Sequence, residues 1–235
     1  MLNNNFIALF ITFAVSWIWL RLNDYAAHRG WVSSQLSRKI IHAGTGPLFV
    51  MCWILFDGSI WSRSMAALVP LAITAQFLLV GLGAIKDEGA VRAMSRTGDR
   101  REILEGPLYY GIVFVVLTAV YWLDTPIGMI ALMLMCGGDA LADILGRRYG
   151  KTKLPWNRTK SWVGSLGMFI GGWAFSLLIL GFYVALGSFS GGFLSFLIPV
   201  TLIAIGGTIV ESLPFENIDN ITVPLAAIVL GRLLL

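Results

Sequence analysis

Long apolar runs follow one another along almost the whole chain, near 2–20, 40–56, 65–85, 108–123, 125–144, 162–186, 193–210 and 221–235, separated by charged or Pro/Gly-bearing stretches. A helix crossing the hydrocarbon core of a bilayer takes about 20 residues, so runs of this length predict spanning helices, several of them short. The pattern therefore predicts an all-α fold, a polytopic membrane helical bundle of about eight transmembrane helices. The number becomes seven if the 108–123 and 125–144 runs are misdivided. With no soluble domain and no clear internal repeat, the simplest organisation is a single integral membrane domain over residues 1–235. The first run has no basic leading region and no small-residue cleavage site, and reads as a retained helix.

Composition agrees: 57% hydrophobic residues and a mean hydropathy of +0.79 are too apolar for a soluble domain. Charge adds direction. Fifteen of the 17 Lys and Arg fall in the loops after the first, third and fifth runs, leaving Arg63 and Arg232 for the opposite side. By the positive-inside rule those basic loops face the cytoplasm and both termini lie on the other side. The net charge of +4 thus reports topology. It points to no nucleic-acid partner, because no basic helix interleaved with aromatics and no reader motif occurs outside the membrane. Cys52 and Cys136 both lie in apolar runs, which excludes a disulfide framework and a cysteine-rich metal site.

Chemistry concentrates at Gly138-Asp139-Ala140-Leu141-Ala142-Asp143-Ile144-Leu145-Gly146-Arg147-Arg148. Asp139 and Asp143 are spaced i, i+4, so on a helix both carboxylates leave one face and can converge on one Mg²⁺. The plainer reading is a pair of interfacial acids that cap a helix end or pair with Arg147. Against it stands the cost of ionisable groups at membrane depth, together with the cations that follow, Arg147, Arg148, Lys151, Lys153, Arg158 and Lys160. That cluster can hold a polyphosphate. Ser161 and Gly164 stand where the sixth run begins, and a helix start suits an anion. The Walker spacing is absent, which argues against a soluble-type nucleotide fold.

Three further segments carry candidates. Arg38 and His42 share a helix face beside Lys39; an interfacial Arg-Lys pair is ordinarily an anchor, whereas a titratable ring one turn into a membrane helix needs a buried partner. Glu211 to Asn220 forms a loop with three acids and no Lys or Arg, fit to complete a metal–nucleotide site or to cap the last helix through Asp219 or Asn220. Loop 83–107 reads mainly as an amphipathic interfacial helix, with Glu105 a weaker candidate. Gly167 and Gly171 make a close-packing face.

At these residues the chain resembles the polyprenol kinase family, which includes phytol and dolichol kinases and is distantly related to phosphatidate cytidylyltransferases. The matching pieces are Arg38-Lys39-x2-His42, Glu105-Gly106-Pro107-Leu108-Tyr109-Tyr110, Gly138-Asp139-x3-Asp143-x2-Gly146-Arg147-x2-Gly150, Lys160-Ser161-Trp162-x-Gly164-Ser165, and Val210-Glu211-x-Leu213-Pro214 with Asp219-Asn220 and Pro224. They run in order through most of the chain, and its short length is more like the bacterial or plastid phytol kinase branch. The resemblance implies transfer of a terminal phosphate from CTP, or ATP, to a long isoprenoid alcohol at the cytoplasmic face of a bacterial inner membrane or its equivalent. It implies Mg²⁺ on Asp139 and Asp143, and phosphates held by Arg147, Lys151, Lys153, Lys160 and Ser161. Glu211 or Asp219 would complete the metal shell or accept the alcohol proton, Asn220 would lie at the nucleotide, and Arg38, Lys39 and His42 would orient a phosphate or the acceptor. Two rivals remain at this point. A cytidylyltransferase would use the same loops, although Asp219-Asn220-Ile221-Thr222-Val223-Pro224 replaces its usual signature. A non-enzymatic transporter would need polar groups nearer mid-membrane.

Overall fold

The structure, a computed structural model, describes residues 4–95, 97–215 and 218–235, so Arg96 of the second basic loop and Glu216 of the acidic loop lie outside the described residues. Among the described residues the chain is helical, with an isolated antiparallel bridge between Lys153 and Ser161 as its only strand-like pairing. Helices satisfy their backbone polar groups internally, which the hydrocarbon core demands. Six helical stretches are long and apolar enough to cross a membrane: Asn5–His28, Ser62–Leu82, Arg100–Val120, Ile127–Tyr149, Trp162–Ala185 and Phe193–Ser212. Two further helices, Ser34–Met51 and Asp219–Leu234, fall on the remaining predicted runs. The second is 16 residues long, and the first opens with the polar Ser-Gln-Leu-Ser-Arg-Lys stretch. The protein is a polytopic helical membrane bundle.

The chain comprises two compact units, the first ending at Ala119 and the second spanning Val120–Leu235. The first contains α1 (Asn5–His28), α2 (Ser34–Met51), α3 (Ser62–Leu82), α4 (Glu88–Met94) and nearly all of α5 (Gly106–Val120). The side chain of Asn4 caps α1, and Asp87 caps α4. Helix α4 is amphipathic as predicted: Ala90, Ala93 and Met94 are buried while Glu88 and Arg92 are exposed. Its apolar face joins Ile41, Phe77, Val80 and Ile103 in one core cluster.

The second unit is built around its most buried span. Helix α6 (Ile127–Met133) is buried at every residue, and a π-helical turn over Leu134–Gly138 leads into α7 (Asp139–Tyr149). Helices α8 (Trp162–Ala185), α9 (Leu197–Ser212) and α10 (Asp219–Leu234) pack around this span. Glycines set the closeness of α7 and α8. A Cβ on Gly171 would lie 2.2 Å from the Gly137 carbonyl oxygen, and one on Gly167 would lie 2.7 Å from that of Leu141. The predicted Gly-x3-Gly face is therefore a backbone contact surface against the segment that carries Asp139. Such π turns recur at functional sites, and this one sets where the first carboxylate emerges.

Candidate nucleotide and metal site

Residues 150–161, between α7 and α8, form a tight turn rather than an open basic loop. Leu154 N donates to the Lys160 carbonyl at 3.2 Å, Lys160 N to that of Asn157 at 3.2 Å, and Asn157 N to that of Leu154 at 3.3 Å. Leu154 is buried beneath the turn. The amide of Asn157 reaches to the end of α9, donating to the carbonyls of Ser212 at 3.2 Å and Leu213 at 3.1 Å, while its oxygen accepts from the Thr159 backbone at 3.1 Å and hydroxyl at 2.6 Å. Trp156 Nε1 adds a bond to the Ser212 carbonyl at 3.2 Å. A polar side chain that satisfies this many backbone groups while itself buried fixes the loop in place.

The turn delivers Lys160 to the ends of two helices. Its ammonium donates to Glu211 in the last turn of α9 and to Asp219 Oδ2 at the start of α10, the latter at 2.8 Å. Burial disfavours the ammonium, but the charges and hydrogen bonds of the two carboxylates outweigh it, and the pKa of Lys160 lies above the usual lysine value. Glu211 is 3% exposed and interacts electrostatically with Lys160, Asp219 and Asp139. The structure thus brings the basic loop to the acidic segment 51 to 59 residues further along, with the first aspartate, just upstream of that loop, acting electrostatically on Glu211.

The other predicted residues distribute around this centre or away from it. Asp139 opens α7 half-buried. Asp143 accepts a 2.7 Å hydrogen bond from Arg147 Nε, so the plainer i, i+4 pairing is present there. Lys151, Lys153 and Arg158 are exposed, and Asn220 is half-buried at the start of α10. Ser161 is the N-cap of α8, its hydroxyl oxygen accepting from Gly164 N at 3.1 Å, and a Cβ on Gly150 would collide with that oxygen at 2.3 Å. Those motif residues therefore have a packing reason of their own. In the first unit Arg38 is half-buried, Lys39 is buried, and His42 stacks on Tyr110 with ring centroids 4.3 Å apart while the Tyr110 hydroxyl donates to the His42 carbonyl at 2.7 Å. The Arg-Lys-x2-His and Glu-Gly-Pro-Leu-Tyr-Tyr segments meet at that contact. Glu105 is exposed.

The donor set suits a hard cation. Carboxylate oxygens are what Mg²⁺ takes, and Glu211 Oε2 is buried with no hydrogen-bond partner. The hydroxyl of Ser165, in the same motif as Lys160, is likewise buried and unpartnered. Among the described residues, no three Asp, Glu, His or Cys side chains are gathered as a ready cage; Asp139, Asp143 and Glu211 do not form one. Sequence reasoning missed Asn157, Trp156 and Ser212, whose contacts depend on the tertiary meeting of the turn with α9. The signal available was a polar Asn beside Pro155-Trp156 in a stretch otherwise explained by charge.

Fold and site together define a polytopic helical membrane protein with a cation–carboxylate centre built from two loops and a broken helix. The chain is 42% identical over 217 residues, 92% of its length and 72% of the relative's, to "Probable phytol kinase, chloroplastic" of Triticum aestivum. It is 40% identical over 207 residues to "Phytol kinase 1, chloroplastic" of Arabidopsis thaliana, covering 87% of this chain and 68% of that one. To "Farnesol kinase, chloroplastic" of Arabidopsis thaliana it is 41% identical over 211 residues, 88% and 67% of the two chains. No protein-family model and no solved structure matches the chain. The chain belongs to the polyprenol kinase family, with phytol and farnesol kinases among its relatives.

Proposed function

We propose that the protein is an isoprenoid alcohol kinase that moves the terminal phosphate of CTP to the hydroxyl of a phytol-, geranylgeraniol- or farnesol-like lipid at the membrane interface. The names of its relatives support the kinase and the class of alcohol. The observation that carries the site is the ammonium of Lys160 held between Glu211 and Asp219 by a turn that Asn157 pins to α9. Phosphoryl transfer asks little covalent work of the protein; it asks for positioned charge. Lys160, with Arg147, Lys151 and Lys153 nearby in sequence, supplies cations for the phosphates. Asp139, Asp143 and Glu211 are the residues that would hold Mg²⁺, which would neutralise charge on the phosphates when bound. The alcohol oxygen forms a bond to the γ-phosphorus, the bond from that phosphorus to the β-bridging oxygen breaks, CDP leaves, and Asp219 or Glu211 takes the alcohol proton. Arg38, Lys39 and His42 are assigned to orienting a phosphate or the acceptor.

The polyprenol substrate lies in the bilayer and the nucleotide arrives from water, so the site faces the side with the basic loops, the cytoplasm or its equivalent. The test is direct. Purified protein in detergent with Mg²⁺, γ-labelled CTP or ATP, and a panel of phytol, geranylgeraniol, farnesol and dolichol should give labelled lipid with CTP and with C15–C20 alcohols. Label only with dolichol, or only with ATP, would overturn that part of the assignment.

A further inference from the structure

The Glu211 side chain is 4% exposed, one of its oxygens is engaged by Lys160, and the other is buried with no hydrogen-bond partner. Asp219 shares the same ammonium, and Asp139 adds its field to Glu211. The Lys160 ammonium is therefore shared between two carboxylates, and Glu211 Oε2, buried beside it, is left over. Burial of this kind is costly unless compensated. A divalent ion would compensate it, since it takes several carboxylate oxygens at once and carries twice the charge. An ion on these carboxylates and the ammonium beside it repel each other, so entry of the ion favours departure of the ammonium.

We propose that Lys160 is the exchangeable counter-ion of the Glu211–Asp219 pair: it fills the cation position in the resting protein and passes to the nucleotide phosphates when the metal enters. This rests on reading the second unit as a metal–nucleotide site. The backbone of Lys160 is fixed on both sides, by Lys160 N to Asn157 and by Leu154 N to its own carbonyl. The four-carbon stem is not, and a lysine ammonium is a point charge on a flexible arm. Exchange thus needs a rotamer change and no movement of the turn. Free metal is then disfavoured, because displacing Lys160 breaks both of its ion pairs with no phosphate to replace them. Metal arriving with nucleotide is admitted, because the phosphates receive the displaced ammonium.

Removing the Lys160 charge should therefore tighten metal binding. Mn²⁺ binding to the purified full chain in detergent, read by electron paramagnetic resonance without nucleotide, should be weak in the native protein and at least tenfold tighter in Lys160→Met. Lys160→Gln, which keeps a hydrogen-bond donor, should behave like Lys160→Met and serves if the methionine variant does not fold. Lys160→Arg, which keeps the charge, and Arg63→Gln, outside the site, should match the native protein. Mn²⁺ should also raise the thermal midpoint of the Met or Gln variant and leave the native one unchanged. Equal Mn²⁺ affinity in native, Gln and Met forms, or tight binding by the native protein alone, overturns the proposal. Neither reading depends on turnover, so tighter Mn²⁺ binding without any lipid phosphorylation would sink the kinase reading and leave this one standing.

Discussion

Asp139 and Asp143 leave one helix four residues apart, yet their surroundings differ. Asp143 is bound to Arg147 at 2.7 Å, whereas Asp139 opens α7 after a π turn and interacts with Glu211. In the proposed site Asp139→Asn should cost about 10³-fold or more in turnover, the scale of losing a metal ligand, while the protein keeps its elution profile in detergent. Near-native turnover would remove Asp139 from the site. On the loop before α3, Asp57 is a different case. Its carboxylate accepts from Ser59 N at 2.8 Å, from Ser62 Oγ at 2.9 Å and from Asn5 Nδ2 at 2.9 Å, and these bonds hold its pKa down to about 2. A depressed carboxylate contributes stability that is fully present above the usual value near 3.8 and lost as pH falls through about 2. The difference in thermal midpoint between native protein and Asp57→Ala should accordingly be constant from pH 7 to pH 5 and shrink below pH 4. A difference that stays the same down to pH 3 or below would show that the carboxylate's charge is not what matters.

At the scale of elements, the sequence made the helices legible because apolar runs bounded by charge have one physical solution in a bilayer. Each of the eight predicted runs falls on a helical stretch, although α10, at 16 residues, is shorter than the usual span. Two things were not legible. The π turn at Leu134–Gly138 is invisible to an apolar pattern that continues through it. The pinning of loop 150–161 to α9 depends on backbone carbonyls of Ser212 and Leu213, which no side-chain pattern announces. Asn157→Ala should loosen that turn, which Trp156 still ties to Ser212, removing two hydrogen bonds at about 1–3 kcal/mol in all and raising the nucleotide KM more than it lowers kcat. Thermal unfolding and steady-state kinetics check both. Gly171→Val should be worse for folding than for chemistry, since its Cβ would lie 2.2 Å from the Gly137 carbonyl and force α8 off the π turn. The expected result is loss of the folded species in detergent, and a well-folded Gly171→Val would contradict the packing described.

At the scale of the whole molecule, charge distribution carries the orientation and the second unit carries the proposed chemistry. Helix α8 runs 24 residues between Arg158 and Ser188, so reporter fusions after those two positions should report opposite sides, with Arg158 on the basic side. The same side for both would mean that α8 does not cross the membrane, against the bundle described. The central claim is that the γ-phosphate, and nothing else of the nucleotide, reaches the lipid. Two parallel reactions with an isoprenoid alcohol, one using γ-³²P-CTP and one using α-³²P-CTP, test it most directly. The account predicts γ-label in the lipid monophosphate and α-label released as CDP. Appearance of α-label in the lipid with release of pyrophosphate would contradict it and make the protein a nucleotidyltransferase.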